Sequence, residues 1–405
     1  MLIAIVTEGY PPDPGGVATS AARIAKALTA AGCQVIVVTY DTSGETDFAA
    51  PLSTSRDGEV TVLRIGPLKL GGKGLDASGL ARQRAILRRR FVDTAVAALT
   101  EAGTRPALIF SMYVLNAGFL ATFLAARLDV PHVVGVRGGD IGRNLYDPAL
   151  LYATGFVLER ADAICCVNGH LRRVMLEAFP ALADKTTIIG NGCAAPSAPD
   201  RAASRPRIMN ASGWTDDALV LCFNGAFREK KGAFEIVDAM RRLEEQDSRA
   251  RLLLVGSIPG GLEEAAIGDS VAGLVERGMC HRTGDIARKE VPEWLAGSDV
   301  LLLPSLDDGM ANALLEGMQA GLCPLVSQIF ADVVPEGSDE IIIPQPTGAK
   351  IADKVAWLER NRPLVSMLGE AARQRSLDLT PELEAANYLE LFERVAAPGG
   401  RARAV

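Results

Sequence analysis

Short apolar runs recur along this chain, separated by longer stretches in which apolar residues repeat at helical spacing. No other feature narrows the possible folds as much. The β-like runs fall at residues 2–7, 34–39, 60–64, 107–111, 132–137 and 163–167, and again at 219–224, 251–255, 279–282, 300–303 and 323–326. Helical periods stand between most of them, at 17–31, 233–244, 291–296 and 311–320 among others. Strands alternating with helices imply parallel sheets covered on both faces, and the uniformly apolar strands fit double burial. The alternation pauses at 193–207, which holds three prolines and many small residues, and then restarts. The expected architecture is therefore α/β. It has a Rossmann-like doubly wound domain over 1–192, a linker at 193–207 and a second such domain over 208–378. The segment 379–405 opens with Thr380-Pro381-Glu382, a helix start with proline in the first turn, and should pack back toward the first domain.

Composition supports two folded domains. A length of 405 residues exceeds one ordinary core, and 48% hydrophobic with 22% charged residues excludes a disordered chain. A net charge of −7 argues against a nucleic-acid binder. The seven cysteines are scattered without a CxxC pair and read as small buried hydrophobes of a reducing, cytoplasmic compartment. His132, His170 and His281 are far from one another and form no set with the cysteines at the spacing of a zinc site, so no metal site is expected. The apolar start at residues 2–7 is too short for a signal peptide and lacks a basic flank. Residues 107–126 carry no charge, enough for a membrane span, but read as a buried strand followed by a buried helix.

In open α/β sheets, ligands bind beyond the carboxyl ends of the strands, and two such sheets would face each other across a cleft. Four loops in those places carry chemistry. After the first strand, Gly15 and Gly16 precede a helix, where backbone can approach an anion closely; a plain tight loop would read the same. After the strand at 219–224 come Arg228 and Lys231 at a helix start. Cations there oppose the helix dipole unless an anion such as a diphosphate is bound, or the turn is simply solvated. After the strand at 300–303, Asp308 stands just before a helix, and Glu316 lies two turns further along on an otherwise apolar face. Gly309, Met310 and Ala311 offer amides at that helix start. A buried Glu316 needs a partner, which a ribose diol or a neighbouring loop would supply. In the first half, glycines flank Arg137 and Asp140 at a strand end, as a catalytic group or a surface turn would require.

Taken together, these loops resemble the family-4 retaining glycosyltransferases, which have the two-domain GT-B fold. The resemblance rests on motifs in order along nearly the whole chain: Pro11-Pro12 with Gly15-Gly16-Val17, Ala161-Asp162-Ala163 with Val167-Asn168, Ile189-Gly190-Asn191-Gly192, Gly225 with Lys231-Gly232, Leu253-Leu254-Val255-Gly256, and Ser298-Asp299-Val300 with Leu303-Pro304-Ser305. It implies transfer of a sugar from a UDP- or GDP-linked donor to a glycan, lipid or natural-product acceptor, with retention and without an obligatory metal. By the same resemblance, Glu316 holds the donor ribose, Asp308 meets the donor sugar, and the Gly309, Met310 and Ala311 amides face sugar or phosphate. Lys231 holds the diphosphate, Asp285 and Ile286 lie at the base, and Gly15 and Gly16 approach the phosphates.

The sequence departs from the family pattern in three places. Asp308 is one methylene shorter than the usual Glu. Ala226 stands where many members carry a diphosphate Arg, a role Arg228 is expected to take two residues on. Arg137-Gly138-Gly139-Asp140 replaces the usual His motif, leaving Asp140 as the candidate to orient or deprotonate the acceptor and Arg137 to touch phosphate or acceptor. Two competing readings keep the nucleotide site: a sugar-nucleotide epimerase, and a non-catalytic sugar-nucleotide or glycan-binding protein. The loops at 42–56 and 66–79 are expected to shape the acceptor pocket. Arg82, Arg84, Arg88, Arg89 and Arg90 lie on one helical stretch, a solvated face or a point of peripheral contact with the inner membrane surface.

Overall fold

The computed structural model describes all residues except 14, 42–50, 67–75, 102, 104, 194–199 and 398–405. The chain divides into two compact units, residues 1–191 with 381–405, and residues 192–380.

Unit 1 holds strands β1 (Leu2–Thr7), β2 (Gln34–Tyr40), β3 (Leu52–Asp57), β4 (Val60–Ile65), β5 (Leu108–Met112), β6 (His132–Val136), β7 (Ala163–Cys166) and β8 (Thr186–Ile188). Its helices are α1 (Gly16–Ala30), α2 (Ala77–Glu101), α3 (Ala117–Leu128), α4 (Gly139–Gly142), α5 (Pro148–Arg160) and α6 (Gly169–Ala178). Unit 2 begins with α7 (Arg201–Ser212) and holds β9 (Leu219–Asn224), α8 (Ala233–Glu245), β10 (Ala250–Val255), α9 (Leu262–Glu276), β11 (Cys280–Gly284), α10 (Val291–Ala296), β12 (Val300–Leu303), α11 (Asn312–Gln319), β13 (Cys323–Ser327), β14 (Ile342–Ile343), α12 (Gly348–Arg360) and α13 (Arg362–Ser376). The final helix, α14 (Pro381–Ala396), belongs to unit 1.

The unit 1 sheet has the order β3-β4-β2-β1-β5-β6-β7-β8, parallel except for β3. Side-chain alternation along β1 feeds two cores. Ile3 and Ile5 join Ile24 and Leu28 of α1 and Tyr388 and Phe392 of α14 on one face. Ala4 and Val6 join Phe91 of α2 and Leu120 and Leu124 of α3 on the other. α14 is fixed by ring contacts of Phe110 with Tyr388 and Phe392, at 5.1 and 5.4 Å between centroids. A two-pronged ion pair joins Arg23 to the buried Glu384, at 2.8 and 3.0 Å. The unit 2 sheet is wholly parallel in the order β11-β10-β9-β12-β13-β14.

Three short or polar strands fall outside the sequence reading, as do helices α7, α9, α12 and α13. β3 is Leu-Ser-Thr-Ser-Arg-Asp and has no apolar signal; it is held antiparallel on β4 by a turn at Gly58, with φ 61°. β8 and β14 have three and two residues. The expected linker at 193–207 is helical from Arg201 onward. Prolines suggested a break there, yet Asp200 caps α7 by accepting from the Ala202 amide at 3.0 Å. Pro206 is tolerated because tertiary contacts outweigh its cost. Arg201 and Arg205 both pair with Asp299, the latter at 2.8 Å. Gly297 admits the helix closely, since a Cβ there would lie 2.7 Å from Ile208 Cδ1.

Candidate active site

In the unit 2 sheet the strand order reverses between β9 and β12, and the loops after those strands emerge side by side at the carboxyl edge. The two loops are bonded to each other. The Leu306 and Asp307 amides donate to the Lys230 carbonyl at 2.9 and 3.2 Å. Gly232, with φ 80°, lies so close to the second loop that a Cβ would fall 2.4 Å from the Pro304 carbonyl oxygen. Glycine is required there by both conformation and space.

This stitching brings together residues that lie far apart in the chain. The Lys231 ammonium pairs with the Asp308 carboxylate, and both side chains are mostly buried. Glu316 sits on α11, which lies directly on β12: a Cβ at Gly317 would be 2.6 Å from Leu301 Cδ2. Its carboxylate accepts from Asn224 Nδ2 at 2.8 Å and from Arg288 Nη2 at 2.7 Å. Arg228 is exposed at the same loop and pairs with no carboxylate among the described residues. Met310 and Ala311 are buried. The Gly309 amide, expected to face a ligand, instead donates to Asp308 Oδ1 at 2.9 Å, because a carboxylate beside a loop amide satisfies it locally. Asp285 is exposed and Ile286 half-buried, in the loop after β11.

Asn224 and Arg288 join the candidate site through their bonds to Glu316. Asn224 ends an otherwise apolar strand at the reversal point, a signal that could have singled it out. Nothing in the sequence separates Arg288 from the other surface arginines.

In unit 1, Gly15 has φ 110° and precedes α1, and both Gly15 and Gly16 are exposed. Arg137 and Asp140 are placed differently from the expected acceptor contacts. Arg137 is only 7% exposed, and its guanidinium donates to Tyr388 Oη at 3.1 Å and Asn191 Oδ1 at 2.5 Å. Asp140 is 6% exposed and accepts from the amides of Val114, Arg137 and Gly138 at 3.2, 3.2 and 2.7 Å. A buried guanidinium and a buried carboxylate both need satisfied partners, and here the fold supplies them. Arg137 anchors α14, and Asp140 ties the loop after β5 to the loop after β6. Burial pushes the Asp140 carboxyl up to about 7, against the pull of these amides. The 42–50 and 67–75 parts of the expected acceptor loops lie outside the described residues. Among the described residues, no cluster of His, Cys, Asp and Glu could hold a metal ion, and no helix is long and apolar enough to cross a membrane.

Comparison with known proteins bears on the family and the fold. Residues 204–375 match the family model described as Glycosyl transferases group 1, and residues 15–192 match the Glycosyl transferase 4-like domain. A D-inositol 3-phosphate glycosyltransferase of Kribbella flavida is 24% identical, over 95% of this chain and 93% of the relative. An uncharacterized glycosyltransferase of Methanocaldococcus jannaschii is 20% identical, over 71% of this chain and 76% of the relative. Among solved structures, sucrose-phosphate synthase from Thermosynechococcus elongatus superposes with a TM-score of 0.73 at 19% identity, covering 97% of this chain and 98% of that one. Anabaena HepE, solved with UDP and glucose, superposes with a TM-score of 0.70 at 15% identity, covering 96% and 98%. The chain belongs to the family-4 type of glycosyltransferase and has the GT-B fold.

Proposed function

We propose that the chain transfers a sugar, with retention of the anomeric configuration, from a nucleoside diphosphate donor held by unit 2 to a hydroxyl of an acceptor held by unit 1. The observation that carries this reading is the convergence of Lys231, Asp308 and Glu316 at the reversal point of the unit 2 sheet. Retention fits front-face substitution, in which the acceptor oxygen attacks on the side the diphosphate leaves. The departing diphosphate gains negative charge as the glycosidic bond breaks and accepts the acceptor's proton. Lys231 and Arg228 meet that charge, so the reaction proceeds without an obligatory divalent ion. Glu316 exchanges Arg288 or Asn224 for the ribose hydroxyls, and Asp308 exchanges Lys231 for hydroxyls of the donor sugar as Lys231 turns to the diphosphate. Asp285 and Ile286 lie beside the base, and the Met310 and Ala311 backbone lines the sugar site. Gly15 and Gly16 present backbone to the phosphate side in unit 1.

For unit 1, the internal bonding of Arg137 and Asp140 favours positioning roles over direct contact with the acceptor. Asp140 holds two loops at the carboxyl edge of the sheet, and those loops shape the acceptor site. The acceptor class is a glycan, lipid or natural product, and the enzyme works in the cytoplasm.

The direct test is release of free nucleoside diphosphate from a panel of UDP- and GDP-sugars, with and without acceptors and with EDTA present. The UDP in the Anabaena structure is a reason to begin with UDP-sugars. Donor-dependent release that survives EDTA is expected, and NMR of the glycosidic product should show the donor's anomeric configuration. An inverted product would overturn retention. NMR of the donor incubated alone should show no new sugar configuration; a new one would point to epimerisation.

Glu316→Ala should weaken donor binding by roughly tenfold or more, the scale of a hydrogen bond to a charged group. Calorimetric titration with the donor checks this, and unchanged affinity would remove Glu316 from the ribose site.

A further inference from the structure

A further surface lies on the α2–α3 side of unit 1. Between Ser78 and Arg90 of α2 only Leu87 is buried, and Ile86 is 62% exposed. A groove of about 360 Å³ runs between α2 and α3, lined by Arg88, Arg89, Val92, Phe119, Leu120 and Phe123. Its floor belongs to a cluster of three rings. Phe119 and Phe123, one helical turn apart on α3, lie 5.2 Å from each other, and each lies 5.8 Å from Phe156 of α5. Phe123 is 44% exposed.

Arginines frame these rings. The Arg88 guanidinium lies 5.5 Å from the Phe119 centroid, and that of Arg160 lies 4.2 Å from Phe156. The carboxylate in the groove, Asp93, is shared between Arg127 at 3.0 Å and Arg89 at 3.7 Å. α2 carries five arginines and two acids, and Arg88 and Arg89 of that stretch line the groove with Arg127, a local basic excess on a chain of net charge −7.

We propose that the α2–α3 groove docks on an anionic phospholipid surface, with Phe123 and Ile86 entering the acyl boundary and the arginines meeting headgroup phosphates. Charge complementarity selects this occupant. A second copy joined by the same face would set one row of arginines against another, which is repulsive. Exposed apolar groups flanked by arginine match the side-chain pattern of interfacial elements. The proposal stands on this surface alone and is independent of the transfer reaction.

The test is flotation of the full chain with vesicles of phosphatidylcholine alone and of phosphatidylcholine mixed with phosphatidylglycerol. Binding to the mixed vesicles is expected, falling steeply with added salt as surface charges are screened. Arg88→Ser with Arg89→Ser should weaken it by roughly thirtyfold, at about 1 kcal/mol per arginine. Phe123→Ser, at a half-exposed position, should weaken it further while leaving the thermal melt near wild type. If the double arginine variant does not fold, the salt series on the wild-type chain serves in its place. Equal binding to both vesicle types, no binding to either, or wild-type binding by folded variants would overturn the proposal. So would a concentration-dependent dimer that Phe123→Ser dissolves in a chain that never floats.

Discussion

Lys231→Ala is expected to lower turnover by at least about 10²-fold on folded protein, the loss that follows removal of one preorganised contact to charge developing in a transition state. Its position makes the result readable. Lys231 lies in a turn whose shape is set by backbone, through the Lys230 carbonyl bonds to Leu306 and Asp307 and the Gly232 contact with Pro304, so truncating its side chain leaves the turn intact. Two roles must be separated: contact with the diphosphate, and simple positioning of Asp308, its ion-pair partner. If positioning were all, Lys231→Ala added to Asp308→Asn would cost nothing further. If Lys231 meets the leaving group, the double variant should be slower than either single one. Lys231→Arg should not restore full turnover, because a planar fork replaces a compact charge. Arg228→Ala is expected to act in the same direction. Retained wild-type turnover in both alanine variants would remove charge stabilisation by these cations from the mechanism.

Much of the fold could be read from residues because parallel strands buried on both faces leave an apolar trace. The runs at 2–7, 219–224 and 300–303 appear as strands with unchanged bounds, and the Thr380-Pro381-Glu382 start opens α14 where expected. Strands that pair at an edge or span two or three residues leave no such trace, and β3, β8 and β14 were missed for that reason. α7 was missed because its stability comes from Asp299 and a close approach at Gly297, both distant in sequence. In the candidate site, the loops after β9 and β12 could be placed because each follows an apolar strand and precedes a helix, and backbone bonds to the Lys230 carbonyl join them. Partners were less legible: Arg288 reaches Glu316 from another loop, and no local pattern announces it. Arg137 and Asp140 show the converse. Glycines around charged residues at a strand end suggested chemistry, but the distant Tyr388 and Val114 engage those side chains inside the fold.

Asp140→Asn should expose a pH dependence of stability that is masked in the wild-type chain. Two buried groups of unit 1 titrate with opposite sign. Burial raises the Asp140 carboxyl from 3.8 to about 7, so between those values the folded chain holds a proton the unfolded chain has lost. That contribution is complete below pH 3.8 and disappears as pH rises through 7. His132 is 2% exposed, with Nε2 3.0 Å from Ser111 Oγ, and burial lowers it from 6.5 to about 3. Between those values the unfolded chain binds a proton the folded chain refuses, so this contribution grows as pH rises toward 6.5. Each slope is about 1.4 kcal/mol per pH unit, and they oppose each other across their shared window. With Asp140→Asn, stability relative to wild type should climb by about 3 kcal/mol from pH 4 to 6.5; with His132→Gln it should fall by a similar amount. Urea midpoints across that range measure both, and subtracting the wild-type curve cancels the exposed carboxylates and any constant cost of the substitution. Difference curves that stay flat for both variants would mean that neither group titrates as its burial demands. A slope in the Asp140 variant would also tie the loops after β5 and β6 to pH, since the carboxylate that binds Val114, Arg137 and Gly138 is the group that changes charge.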